Sequence, residues 1–375
     1  MPRRPAEPRP NPSAIAWWLL GVAALVFAMI VVGGITRLTE SGLSITRWDV
    51  VSGTLPPLSD AAWQAEFDAY RQTPQYQLVN RGMSLEDFKS IFFWEYVHRL
   101  LGRVIGFAFA LPLAFFWWRR AIPKGQGRKL GLLLALGGLQ GAIGWWMVAS
   151  GLVDRPEVSH IRLAVHLLTA LAIFGLLVWT ALDLDRLARA PGAPPVRVPL
   201  IAIWTLSLLF LQFLFGAYVA GLEAGYAFNS WPLMGDEFFP SQTPMLSPWL
   251  SNLVDNPVMV QFVHRWLAIL VAIVALALAA TAWRAGRRRA AELLAAGVVM
   301  QVLLGIHTIL SGVEIRVAVA HQAMAALLLA AVVGVAHGLG EARARRLSDS
   351  PHDYDTIPTP TLPHRGEGSA AGAVS

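Results

Sequence analysis

Long apolar runs alternate with short polar breaks along the chain, and the runs are too long for strands. A window of about 19 residues marks eight of them, at 14–36, 91–118, 129–150, 160–182, 198–220, 258–283, 290–311 and 316–340. A hydrocarbon core about 30 Å thick takes roughly 20 helical residues to cross, and each run supplies about that many. The pattern predicts an all-α polytopic membrane protein with eight transmembrane helices. Between the first two runs, two amphipathic stretches near 59–71 and 84–91 are suited to lying on the membrane or capping the helices below.

Composition agrees with the pattern. Of 375 residues, 55% are hydrophobic and only 14% charged, with a mean hydropathy of +0.51; a soluble globular protein carries roughly 25% charged residues. The run from Ala14 to about Ile35 is too long for the core of a signal peptide and is followed by no A-x-A-like cleavage site, so it reads as a retained first helix. Cysteine is absent, which excludes disulfides, thiolate-held iron–sulfur clusters and thioether-tethered haem.

The net charge of +6 does not point to nucleic acid, because the basic residues sit in short loops between apolar runs. Residues 119–129 carry Arg119, Arg120, Lys124, Arg128 and Lys129 without an acid, and residues 284–289 are similarly basic. Residues 221–257 contain Glu223, Asp236, Glu237 and Asp255 and no Lys or Arg. By the positive-inside rule both termini are cytoplasmic, and the long loops 37–90 and 221–257 lie outside.

The chain also reads as two four-helix units in parallel orientation, each a four-helix bundle able to build a cofactor site between facing helices. VHRLLGRVIG after Tyr96 corresponds to VHRWLAILVA after Phe262. Gly42, Trp48, Gly53 and Pro56 in one long loop match Gly225, Trp231, Gly235 and Pro240 in the other. The predicted division is an N-terminal cytoplasmic segment 1–13, a first half 14–182, a linker 183–197, a second half 198–340 and a disordered tail 341–375.

Ionisable side chains inside a bilayer are costly and usually functional. His98, His166, His264 and His321 each lie a few residues from the outer end of the second, fourth, sixth and eighth runs. Neutral imidazole is a good iron ligand, so four at one depth predict two bis-histidine haem sites. Pairing within halves is natural (His98 with His166, His264 with His321), and pairing across halves stays open. Arg99, Arg103 and Arg265 are near enough in sequence to partner haem propionates. The plain alternative has each histidine packing on a carbonyl or a lipid headgroup; four at matched positions outweigh it. His160 reads as interfacial, His307 as a weaker site candidate, His337 as lying near an inner helix end, and His352 and His364 as tail residues.

Glu95 stands three residues before His98, on roughly the same helix face. Gln261 occupies the matching place before His264. This asymmetry predicts that the first half does chemistry and the second holds a cofactor, although Glu95 is also placed to form a local ion pair with Arg99. Most of the 15 tryptophans read as interfacial anchors, among them Trp17, Trp18, Trp117, Trp118, Trp145 and Trp146. Trp48 and Trp231 are placed to cover the sites, and Gly137, Gly138, Gly141 and Gly144 read as close helix packing.

The stretches GGITRLTESGLSITRW (33–48), FFWEYVHRLLGR (92–103), FNSWPLMG (228–235) and VHRW (263–266) resemble the haem A synthase family over about residues 20–340. The resemblance implies a bacterial inner-membrane enzyme that oxidises a porphyrin methyl group of haem O to the formyl group of haem A. It implies that His98 and His166 ligate haem O or haem A, that His264 and His321 ligate a haem b relaying electrons, and that Glu95 is the catalytic glutamate. It further implies membrane lipid, haem O synthase and cytochrome oxidase assembly factors as partners, and it admits a homo-oligomer. The cysteine pair of some members has no counterpart here, and Val50 stands where a proline is common. A di-haem electron-transfer cytochrome is the competing reading; a histidine-relay transporter is a third.

Overall fold

The computed structural model describes residues 10–48, 52–153 and 155–349. Residues 1–9, Val50, and the tail from 350 with His352 and His364 lie outside the described residues. Eight described helices are long and apolar enough to cross a membrane. They are α1 (Pro12–Leu38), α4 (Leu85–Trp118), α5 (Gly127–Val148), α6 (His160–Arg189), α7 (Leu200–Gly221), α9 (Pro257–Arg284), α10 (Arg288–Leu310) and α11 (Ile315–Asp349). The short helices α2 (Asp60–Tyr70), α3 (Pro74–Leu78) and α8 (Asn252–Asp255) lie in the two long loops. Among the described residues the fold is all-α.

Local chemistry fixes the helix starts. Asn11 accepts the Ala14 amide at 3.1 Å ahead of Pro12. Ser84 and Asp87 form a reciprocal capping box, so α4 begins at Leu85 and absorbs the amphipathic stretch expected at 84–91. Asn256 caps α9 by accepting from Val258 and Met259. Two expected ends are corrected. Helix α6 runs to Arg189, into the expected linker, and α11 continues to Asp349 where a disordered tail was expected from 341. The extension is held by charge: Glu341 lies 3.9 Å from Arg186 and 3.5 Å from Arg287, and Arg186 and Glu341 are both buried.

Packing arranges the long helices in two closed groups. In the first, α1 touches α4 and α6, and α5 touches both. In the second, α7 touches α9 and α11, and α10 touches both. The groups meet where α6 packs on α7 and where α11 packs on α1 and α6. Helix α11 is the most enclosed span, with 61% of its apolar window buried against 6% for α5 at the edge. One apolar core, including Leu19, Leu171, Leu177, Leu278, Leu329 and Val332, runs through both groups. Large apolar side chains such as Phe107, Leu111, Leu132 and Ile273 face outward, as suits a lipid solvent.

Trp18 is more than an anchor: its indole donates to the Ala108 carbonyl at 2.8 Å and packs on Phe109 and Phe116. Above the first group, Phe67, Tyr70, Phe88 and Phe92 bury one another where α2 lies against α4. Trp48 packs on Trp145, and Trp231 stacks on Trp266.

Candidate functional site

The four histidines come from α4, α6, α9 and α11, near the end of the bundle that carries the long loops. Each is half-buried and rests against a glycine of the neighbouring helix. A Cβ on Gly33 would lie 3.1 Å from Cε1 of His98. On Gly144, Gly216 and Gly305 it would lie 3.0 Å from Cε1 of His166, His264 and His321 respectively. Any side chain there would push the ring, so these glycines are seats for imidazoles. Gly137, Gly138 and Gly141, read as packing positions, meet nothing within 4 Å; of the four, only Gly144 makes a close approach.

Three rings are also held by an amide. Gln140 Nε2 lies 3.1 Å from His166 Nδ1 and donates to the His166 carbonyl at 3.0 Å. Gln212 Nε2 lies 3.0 Å from His264 Nδ1 and donates to its carbonyl at 3.0 Å. Gln301 Nε2 lies 3.2 Å from His321 Nδ1. His98 has no such amide, and its buried Nδ1 lacks a hydrogen-bond partner among the described residues. His98 and His166 stand on helices of the first group, and His264 and His321 on helices of the second.

Glu95 is buried one turn before His98. Its Oε2 accepts from Ser44 Oγ at 2.7 Å and from the Ile45 amide at 2.8 Å. Its Oε1 accepts from Arg99 Nε at 2.9 Å and Nη2 at 2.6 Å. Arg99 also donates to the Ile45 and Arg47 carbonyls, both at 2.7 Å. In the second group Gln261 donates to the Phe228 carbonyl at 2.9 Å, and Arg265 donates to Phe228 and Ser230, both at 2.8 Å. Arg99 and Arg265, expected at propionates, thus bind loop carbonyls. Arg103 is half-buried one turn deeper on α4.

The remaining histidines stand apart. His307 is exposed on α10 and does not join the pairs. His160 sits against Tyr218 and lies 3.2 Å from Asp255. His337 is buried at the other end of the bundle, 3.1 Å from Asp183, which also pairs with Lys129 at 2.7 Å.

The donor set suits an iron porphyrin better than a bare ion. Among the described residues no three His, Cys, Asp or Glu side chains converge, whereas two imidazoles on opposite sides complete an iron that already has four ring nitrogens.

Fold and site together define an all-helical, polytopic membrane protein with two glycine-seated imidazoles in each of two helix groups. Residues 16–333 match the family described as cytochrome oxidase assembly protein, and the chain belongs to that family. A protein from Rhizorhabdus wittichii named heme A synthase is 57% identical over 336 residues, covering 90% of this chain and 97% of its own length. One of the same name from Sphingopyxis alaskensis is 54% identical, covering 89% and 94%. A third, from Rhodospirillum centenum, is 51% identical, covering 87% and 88%.

Proposed function

We propose that this protein is a haem A synthase, oxidising a porphyrin methyl group of haem O to a formyl group. The observation that carries the reading is the pair of seated imidazoles in each group, with a carboxylate beside only one pair. His98 and His166 hold the substrate iron, and His264 and His321 hold a resident haem b. A haem b there supplies one-electron redox chemistry for the electrons that the methyl oxidation releases. Glu95 receives four hydrogen bonds from donors alone. We assign it as the catalytic residue, a fixed negative charge that favours positive charge developing on the substrate beside it. Arg99, Arg103 and Arg265 stay the proposed propionate partners, near the histidines on α4 and α9.

The two groups are read as the expected parallel repeats, 14–182 and 198–340. Their matching loop geometry supports this: Glu40 and Glu223, one just after each of α1 and α7, have φ of 51° and 54°, and each precedes a short 3₁₀ turn. The basic short loops orient both termini to the cytoplasm of a bacterial inner membrane, with membrane lipid as solvent and the oxidase assembly machinery and haem O synthase as partners.

The test is to purify the protein in detergent from cells that make haem O and identify the extracted haems by chromatography and mass. Haem A or O alongside haem B is the expected result. Haem B alone at both pairs overturns the synthase in favour of an electron-transfer cytochrome, and no haem overturns the ligand assignment.

A further inference from the structure

Three of the four glycine seats share a second residue one helical turn earlier. Gln140 precedes Gly144 on α5, Gln212 precedes Gly216 on α7, and Gln301 precedes Gly305 on α10, each by four positions. On α1 the residue four before Gly33 is Met29. Its methyl group reaches the His98 helix, lying 3.5 Å from where a Cβ on Gly102 would stand, one turn beyond the histidine. A thioether has no N–H to give and only a weak acceptor sulfur. The consequence is visible at His98, whose Nδ1 is buried without a hydrogen-bond partner among the described residues.

The difference bears on how firmly each imidazole holds a metal. When Nε2 binds iron, Nδ1 carries the proton, and an acceptor there fixes the ring and raises its donor strength. The Oε1 atoms of Gln140, Gln212 and Gln301 are themselves buried and unpaired. Each glutamine Nε2 instead lies across the ring, 3.0–3.2 Å from Nδ1 and 3.4–3.5 Å from Nε2, where it restrains the imidazole's rotation. His166, His264 and His321 therefore each have an orienting amide at hand, and His98 has a methionine.

Resting on the reading above that the two pairs hold haem iron, we propose that Met29 makes His98 the exchangeable ligand. It is the one imidazole that lets go when the substrate haem is taken up and the product released. The glutamines act through the histidines as positioning residues, and the fully amide-held second pair keeps its haem. A site that turns over a haem needs one ligand that opens; a site that stores one does not.

Carbon monoxide reads this directly. A ferrous haem with two imidazoles binds it only after one imidazole leaves, so the binding rate reports ligand opening. The full-length protein, reduced with dithionite, is mixed with carbon monoxide, and each haem is followed at its own absorption band. The substrate haem is expected to react faster than haem b. Met29→Gln is expected to slow the substrate-haem phase about 10-fold, the lower end of the usual effect of a partner to a metal ligand, leaving the haem b phase unchanged. Met29→Leu should behave as the parent, separating packing from hydrogen bonding. Gln212→Met should speed the haem b phase alone.

Equal rates for Met29→Gln and the parent, with both haems bound, overturn the proposal, as does a parent in which haem b reacts faster. His98→Ala protein that keeps an unaltered six-coordinate substrate haem overturns the ligand assignment beneath it, a failure distinct from the first.

Discussion

The long-loop ends of α4 and α9 are built alike and wired with opposite polarity. At α4 the loop turns an amide and a hydroxyl toward the helix, and Glu95 accepts both. At α9 the loop turns carbonyls, and Gln261 donates to them. In each case an arginine at the next turn donates to two loop carbonyls, Ile45 and Arg47 for Arg99, Phe228 and Ser230 for Arg265. One exchange of carboxylate for amide therefore changes the charge beside one imidazole pair while keeping the scaffold. On the proposed reading, reaction chemistry and cofactor storage differ by the direction of a hydrogen bond.

The comparison breaks most severely if the ion pair is cut. Arg99 and Glu95 are only 14% and 4% exposed, and removing one member of a buried pair costs about 3–5 kcal/mol. Arg99→Ala should lower the unfolding midpoint in detergent by that order. Arg265→Ala, which leaves only carbonyls unpaired, should cost about 1–3 kcal/mol. Equal losses would show that the charge at Glu95 adds nothing to what the loop carbonyls need.

Glu95→Gln makes the first group chemically like the second. It should reduce formyl production by about 10²–10³-fold, the usual effect of removing one preorganised electrostatic group. Haem content measured by extraction should stay unchanged. Wild-type turnover in this variant would remove Glu95 from the chemistry.

The glycine seats sharpen the comparison at a smaller scale. Gly144→Ala places a methyl against the His166 ring and should weaken retention of the substrate haem about 10–100-fold, with haem b unaffected. Gly137→Ala, on the same helix with open space around it, should be neutral or stabilise by up to about 1 kcal/mol. Titrating haem occupancy in the two variants distinguishes a seat from a packing glycine.

The smallest effect concerns the cap over the first group. Burial raises the Tyr70 hydroxyl above its ordinary value of 10.0, against the lowering effect of the hydrogen bond from Asn80. A raised folded value means the neutral phenol is the stabilised form. Its contribution is present in full below pH 10 and is lost as the pH climbs through the folded value. Alkaline titration followed by tyrosinate absorbance should show the late-titrating fraction smaller by one tyrosine in Tyr70→Phe.

Much of this was legible because a bilayer makes exceptions conspicuous. Histidines and a glutamate inside apolar runs stand out from sequence alone, and the Glu95–Arg99 spacing announced the ion pair. The seats were not legible in the same way. Glycine is ordinary in transmembrane helices, and Gln140 has no meaning until His166 is known to lie beside it. Setting α1, α5, α7 and α10 side by side would have found the recurring glutamine and glycine, and with them the odd methionine. Helix ends failed where polar contacts overrode hydropathy: the Ser84 capping box begins α4 early, and the arginines around Glu341 carry α11 past its apolar stretch.

Gln322, beside His321, donates to the Ile30 carbonyl at 2.7 Å and fills the notch at Gly34, next to the His98 seat on Gly33. This latch joins the first of the described membrane spans to the last. Until α11 is inserted, the notch beside the first site stays open. Chains that stop short of residue 315 should therefore be cleaved more readily by membrane proteases than the full chain.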